Sequence, residues 1–207
     1  MAFRRHRAGN EIEPEGAGER SPARGRNRLI EDEDGGQPEA QRPNIEKTRA
    51  RIFARAANIL AARPRSERQL RERLLAKPWA DPALVDECIA KLKELGYVND
   101  SLFAHNYASS RVNVKPVGRS RLARELAGKK VERQTINKAL DTVFEEVGEG
   151  TLIDRAIEKR IRTHGRPGDR NDAKRLFDYL ARLGFGYDLI IKKLQALRAE
   201  TEEKDEG

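Results

Sequence analysis

Cysteine, tryptophan and methionine each occur once in this 207-residue chain. A lone cysteine cannot form an internal disulfide or a thiolate zinc cluster, a usage that fits a reducing compartment. Cys88 stands beside Ile89 on an apolar helix pattern and is expected to be a buried structural residue. Aromatic side chains make up only 5% of the chain against 37% charged residues, so any core must be thin and aliphatic. No stretch approaches the ~18 apolar residues of a membrane helix, and the amino terminus lacks a secretory hydrophobic run. A cytoplasmic protein without membrane contact is expected.

Catalytic constellations are equally scarce. His6, His105 and His164 lie far apart, in no spacing suited to helical metal ligation. Gly165-Arg166-Pro167-Gly168 lacks the lysine and hydroxyl of a phosphate loop and reads as a turn. Adjacent acids such as Glu145 and Glu146 or Asp86 and Glu87 point about 100° apart on a helix, on faces that read as solvated. The expectation is a protein with no catalytic residue, no metal and no cofactor: a binding protein rather than an enzyme.

The net charge is +8, and its distribution is uneven. Residues 47–199 hold 33 Lys and Arg against 19 Asp and Glu, a net +14, while the two ends are acidic. A helical body with that excess attracts polyanions, nucleic acid first, or an acidic protein surface.

One hydrophobic spacing occurs three times. Leu122, Leu126, Val131, Ile136 and Leu140 lie at offsets 0, +4, +9, +14 and +18, and Leu176, Leu180, Phe185, Ile190 and Leu194 repeat them. Leu70, Leu74, Trp79, Val85 and Ile89 follow the same pattern with one residue inserted before Val85. Offsets of four on either side of a short break describe two amphipathic helices joined by a tight turn, and a further apolar helix precedes each pair. The fold expected is all-α: three tandem three-helix repeats, helix-turn-helix-like, forming an elongated, curved array.

The boundaries follow from start and stop signals. Residues 1–46, rich in Arg, Glu, Gly and Pro, are expected to be a disordered extension. The first repeat spans 47–98, with an apolar stripe of Ile52, Phe53, Ala56, Ile59 and Leu60. Its second helix starts at a Ser66/Gln69 capping box and runs to about Lys77-Pro78; the third starts at Asp81-Pro82 and stops at a left-handed Gly96. The second repeat, 99–148, opens with Leu102, Phe103 and Tyr107 on one face, breaks at Pro116 and Gly118, turns at Gly128-Lys129-Lys130, and ends with a helix from Arg133 to Val147. Gly148 and Gly150 separate it from the third, 149–199, whose later helices cover about Asn171 to Leu183 and Tyr187 to Ala199. The acidic residues 200–207 are expected to fray.

The second helix of each unit is rich in basic residues. Arg68 and Arg71, with Arg73, mark the first; Arg119, Arg121 and Arg124 the second, extended by Lys129, Lys130 and Arg133 at its turn; Lys174 and Arg175 the third. Stacked units would turn these into a discontinuous basic stripe for a long anionic partner, such as largely non-specific single- or double-stranded DNA. Two helices joined by a turn also admit a free-standing helix-turn-helix DNA reader or transcription factor. The scarcity of aromatics disfavours a base-stacking platform.

Four motifs in order resemble one family. Arg63-Pro-Arg-Ser-Glu-Arg-Gln-Leu70 comes first, then Leu95-Gly-Tyr-Val-Asn-Asp100 with Phe103-Ala104, then Gly118 with Arg121-Leu-Ala-Arg-Glu-Leu126, then Tyr179-Leu-Ala-Arg-Leu-Gly-Phe185. Their order and spacing from Ala54 to Leu197 resemble the bacterial RecX regulatory proteins, modulators of the RecA recombinase. The resemblance implies three tandem three-helix repeats lying along the groove of a RecA–DNA filament. It implies inhibition of RecA's strand exchange, ATP hydrolysis and coprotease activity in DNA repair and the SOS response, by a monomeric partner without catalysis of its own. Gly128-Lys129-Lys130 departs from the Lys-Gly order expected at that turn.

Overall fold

The computed structural model describes residues 45–205, with side chains through Glu200, and every regular element in that range is an α-helix. The expected disorder of residues 1–46 falls outside the described residues except at Ile45 and Glu46, which open the first helix. The helices are α1 (Ile45–Ala62), α2 (Glu67–Leu75), α3 (Pro82–Glu94), α4 (Asp100–Val114), α5 (Arg119–Gly128), α6 (Arg133–Val147), α7 (Glu149–His164), α8 (Arg170–Leu183) and α9 (Tyr187–Asp205). They pack in threes. α1, α2 and α3 contact one another, α6 lies against both α4 and α5, and α7, α8 and α9 contact one another.

Local chemistry sets most of the helix starts. The Asp81 carboxylate accepts from the amides of Ala83 and Leu84 at 2.9 and 3.1 Å with Pro82 at the first turn, as the sequence leads one to expect. Asn99 caps α4 through Leu102, and Asp169 caps α8 through Asp172. Gly96 and Gly184 carry the positive φ of helix stops, +75° and +93°.

The repeated apolar spacing is the core. Leu70, Leu74, Leu122, Leu126, Leu140, Leu180 and Ile190 are buried, whereas Trp79 and Leu194 are only half-buried. The buried apolar residues form two clusters. One, from Ile52 to Val98, belongs to α1–α3 and their flanks; the other, from Ala104 to Ile190, runs without a break through α4–α9. Cys88 sits in the first, where burial raises its thiol pKa.

Several expectations require correction. The Ser66 hydroxyl accepts from the Gln69 amide at 3.3 Å, but no reciprocal bond returns from the Gln69 side chain, so the capping box is half made. Phe53 and Leu102 are exposed. The buried stripe of α4 is instead Ala104, Ala108 and Val112, at intervals of four, whose small side chains let α6 approach while Phe103 and Tyr107 flank the contact. α2 ends at Leu75 rather than Lys77. At the α5–α6 turn the left-handed residue is Lys130, with φ +65°, and Gly128 is still helical. Gly150 lies within α7, and α9 continues past Ala199 to Asp205 because its Glu-rich end contains no helix breaker.

Candidate nucleic-acid and filament interface

Aligning the three units on Leu70, Leu122 and Leu176 shows how few of the candidate cations share a register. Arg68 and Lys174 occupy equivalent positions, as do Arg121 and Arg175; the equivalents of Arg119 are Glu67 and Ala173, and those of Arg124 are Glu72 and Asp178. A stripe drawn through all ten is therefore not a repeat of one pattern.

Half of the ten are held by carboxylates. Arg71 makes a two-pronged pair with Asp86 at 2.6 and 3.0 Å, which keeps the Asp86 carboxyl below its ordinary pKa. Arg119 pairs with Asp141, Arg121 with Glu125 at 3.1 Å, Lys130 with Glu72, and Arg175 with Asp172 at 3.0 Å. Arg124 reaches back to the Ser120 carbonyl, and the Lys129 ammonium lies 4.6 Å from the Tyr107 ring centroid. Arg68, Arg133 and Lys174 form no ion pair with any described residue and remain the freest of the set.

Glu125 is the hub of the middle unit. It accepts two bonds from Arg111 at 3.0 Å, one from the Tyr107 hydroxyl at 2.8 Å and one from Arg121. Burial alone would raise its pKa; the hydrogen bonds from Arg111, Tyr107 and Arg121 outweigh that and bring it down to about 2. The network binds α5 to α4.

The units are joined by one contact used twice. The start of the second helix of one unit docks on the turn between the second and third helices of the next. The Ser66 hydroxyl donates to the Lys129 carbonyl at 2.5 Å. At the equivalent pair, the Gly118 amide donates to the Leu183 carbonyl at 2.9 Å, supported by the Ser120 amide and hydroxyl on the Gly184 carbonyl at 3.1 and 2.8 Å. An acid at the start of the next unit completes each joint. Asp100 accepts from the Glu67 amide at 2.8 Å, and Glu149 accepts from the Arg119 amide at 3.5 Å.

A second basic cluster joins Arg73 to four cations that the sequence pattern does not single out. Arg51 and Arg55 of α1 face Arg65, Arg73 and Lys77 across a cleft of about 570 Å³ beside Trp79. The signal in the sequence is the i, i+4 spacing of Arg51 and Arg55, on the helix that also carries the apolar stripe.

Among the described residues no group of three or more His, Cys, Asp and Glu side chains is placed to hold a metal, and no helix is long and apolar enough to cross a membrane.

Comparison with known proteins agrees with this architecture. Residues 53–92 match the model of the RecX first three-helix domain, and residues 99–140 that of the second. A Streptomyces coelicolor protein named regulatory protein RecX is 32% identical over 168 residues, covering 81% of this chain and 86% of its own. A Clostridioides difficile protein of the same name is 29% identical over 146 residues, covering 69% of this chain and 66% of its own. The crystal structure of RecX from Lactobacillus salivarius superposes with a TM-score of 0.68 at 21% identity, over 74% of this chain and 99% of that one, and shares the fold. With matching domain order, three-helix units and sequence identity through most of both chains, the protein belongs to the RecX family.

Proposed function

We propose that this chain is a regulatory protein that binds the RecA–DNA filament and restrains RecA's recombinase, ATPase and coprotease activities, acting by binding and without catalysis. The observation that carries the reading is its family membership through 81% of the chain, alongside relatives named regulatory proteins. Supporting it is the placement of a net +14 on residues 47–199, the helical body that a polyanionic filament would meet. Tandem units add reach: a ~15-residue helix is only ~22 Å long, and three units in series can engage several filament subunits together. The cations proposed for contact are Arg68, Arg133 and Lys174 ahead of those already paired to carboxylates. DNA repair in the cytoplasm is the setting proposed.

The test is ATP hydrolysis by RecA on single-stranded DNA, titrated with the full chain. A saturable fall in rate is the expected result. Unchanged turnover and unchanged filament length at saturating protein would refute the proposal, and selective binding to one duplex sequence would point instead to a free-standing DNA reader.

A further inference from the structure

The α1–α2 cleft of the first unit differs from the rest of the basic surface in one respect. Its cations have no carboxylate partner among the described residues. Arg55, Arg65, Arg73 and Lys77 form no ion pair with any described residue, and Arg51 lies over the Trp79 ring, 4.0 Å from its centroid. The Nε atoms of Arg55 and Arg65 are buried without a hydrogen-bond acceptor among the described residues. A buried donor left unpaired is costly, and guanidinium groups clustered without acids repel one another. Burial, then the charges of Arg63 and Arg73, lower the Arg65 pKa, in keeping with a site short of negative charge.

The position of the cleft in the repeat explains why it is open. Lys77 is the register equivalent of Lys129, and Arg55 of Tyr107. In the second unit, the turn at Lys129 receives the start of α2, and Glu72 from α2 pairs with Lys130. In the first unit no described helix precedes α1, and Arg73 stands at the register position of Glu125, the acid that gathers Tyr107 and Arg111 in the second unit, so the cations here lack that acceptor.

We infer that the cleft formed by Arg51, Arg55, Arg65, Arg73 and Lys77 is a binding site for the phosphate backbone of a nucleic-acid strand. A second copy of this chain fits the site poorly, because the segment seated on the equivalent turn is a helix amino terminus, whose dipole is positive. A phosphodiester chain fits it well: guanidinium forks match phosphate oxygens, and the Trp79 edge offers an apolar wall beside them. The inference concerns the chain's own contact with nucleic acid and does not require an effect on RecA.

The test is the salt dependence of binding between the full chain and a fluorescent thymidine oligonucleotide, read by anisotropy. Each lost phosphate contact lowers the salt slope on a single strand by about 0.7, so Arg55→Gln with Arg65→Gln should lower it by about 1.4 and weaken binding on the order of tenfold at moderate salt. Circular dichroism checks the fold of this variant. Should it unfold, Arg51→Gln with Arg73→Gln changes two exposed rim cations and is expected to act in the same direction. A charge-matched control, Lys138→Gln with Lys192→Gln on exposed positions of α6 and α9, should change the slope much less. Equal losses in control and cleft variants would reduce the effect to net charge and overturn the site. So would displacement of the oligonucleotide by polyglutamate at equal charge concentration, which would mark an acidic protein surface as the ligand. Failure of the unmodified chain to bind the oligonucleotide would also overturn it, while ATP hydrolysis by RecA would still decide the regulatory reading separately.

Discussion

At the joint between the first and second units, a serine hydroxyl, a helix-start amide and a lysine–glutamate pair carry the contact, and the apolar clusters on either side stay separate. At the equivalent joint between the second and third units, two glycines bring backbone onto backbone, and one apolar cluster passes through from Val143 and Phe144 of α6 to Leu152 and Ile153 of α7. A Cβ on Gly118 would lie 2.2 Å from the Gly184 carbonyl carbon, and one on Gly184 would lie 2.5 Å from the Arg121 Cβ. The same positions therefore produce a polar joint in one case and a fused one in the other. In a tandem array, stability is a sum of unit terms and interface terms, so a change of interface chemistry alone is enough to make one unit separable from the other two. The first unit, whose apolar cluster is its own, is the one expected to open first.

The comparison breaks most visibly at Gly118. Its φ of −85° suits any residue, so Gly118→Ala acts through the clash alone and should cost about 3 kcal/mol, uncoupling α7–α9 from α4–α6; urea denaturation should show a lost or broadened main transition. Next is Glu125→Gln, which removes the acceptor charge that joins α4 to α5, the helix touching both joints; a loss of about 2 kcal/mol at neutral pH is expected. The same group sets a pH dependence. Because its folded pKa of about 2 lies below its usual value, its contribution is fully present above about pH 4.5 and disappears as pH falls toward 2. Acid melts of the Gln variant should be flatter across that window.

Ser66→Ala sharpens the contrast from the polar side. Ser66 is fully buried and supplies both the α2 cap and the bond to Lys129, so about 1 to 2 kcal/mol should be lost, chiefly from α1–α3, as hydrogen exchange would locate. The smallest effect is a gain. Lys130→Gly relieves a left-handed non-glycine residue and gives up only an exposed ion pair; a net stabilisation of about 0.5 kcal/mol should raise the melting temperature slightly.

The helices were legible because their signals are local. Asp81-Pro82 and the run Arg133 to Val147 each carry their own start or stop, and the Leu122 to Leu140 spacing exposes the core face directly. The α5–α6 turn falls at Lys129-Lys130 within the stretch the sequence marks, but its left-handed residue is a lysine, closed by the Lys130 amide on the Ala127 carbonyl and the Val131 amide on the Leu126 carbonyl, where residue type alone favours Gly128. The charged surface was the least legible. Arg111 and Glu125 lie 14 residues apart, and Arg71 and Asp86 15 apart, on different helices, so no helix spacing reveals that these cations are already partnered.

A contact used twice among three units leaves one half of itself unused at each end of the series: the α2–α3 turn near Lys77 has no described helix start upon it, and the start of α8 has no described turn ahead of it. Both ends carry arginine: Arg51, Arg55, Arg65 and Arg73 at one, and Arg170 beside Arg166, itself paired with Glu200 at 3.6 Å, at the other. A fourth unit borrowed from a neighbouring copy would have to press these like charges together. Growth by addition of copies, the open-ended hazard of any head-to-tail contact, is thus opposed at the points where it would begin.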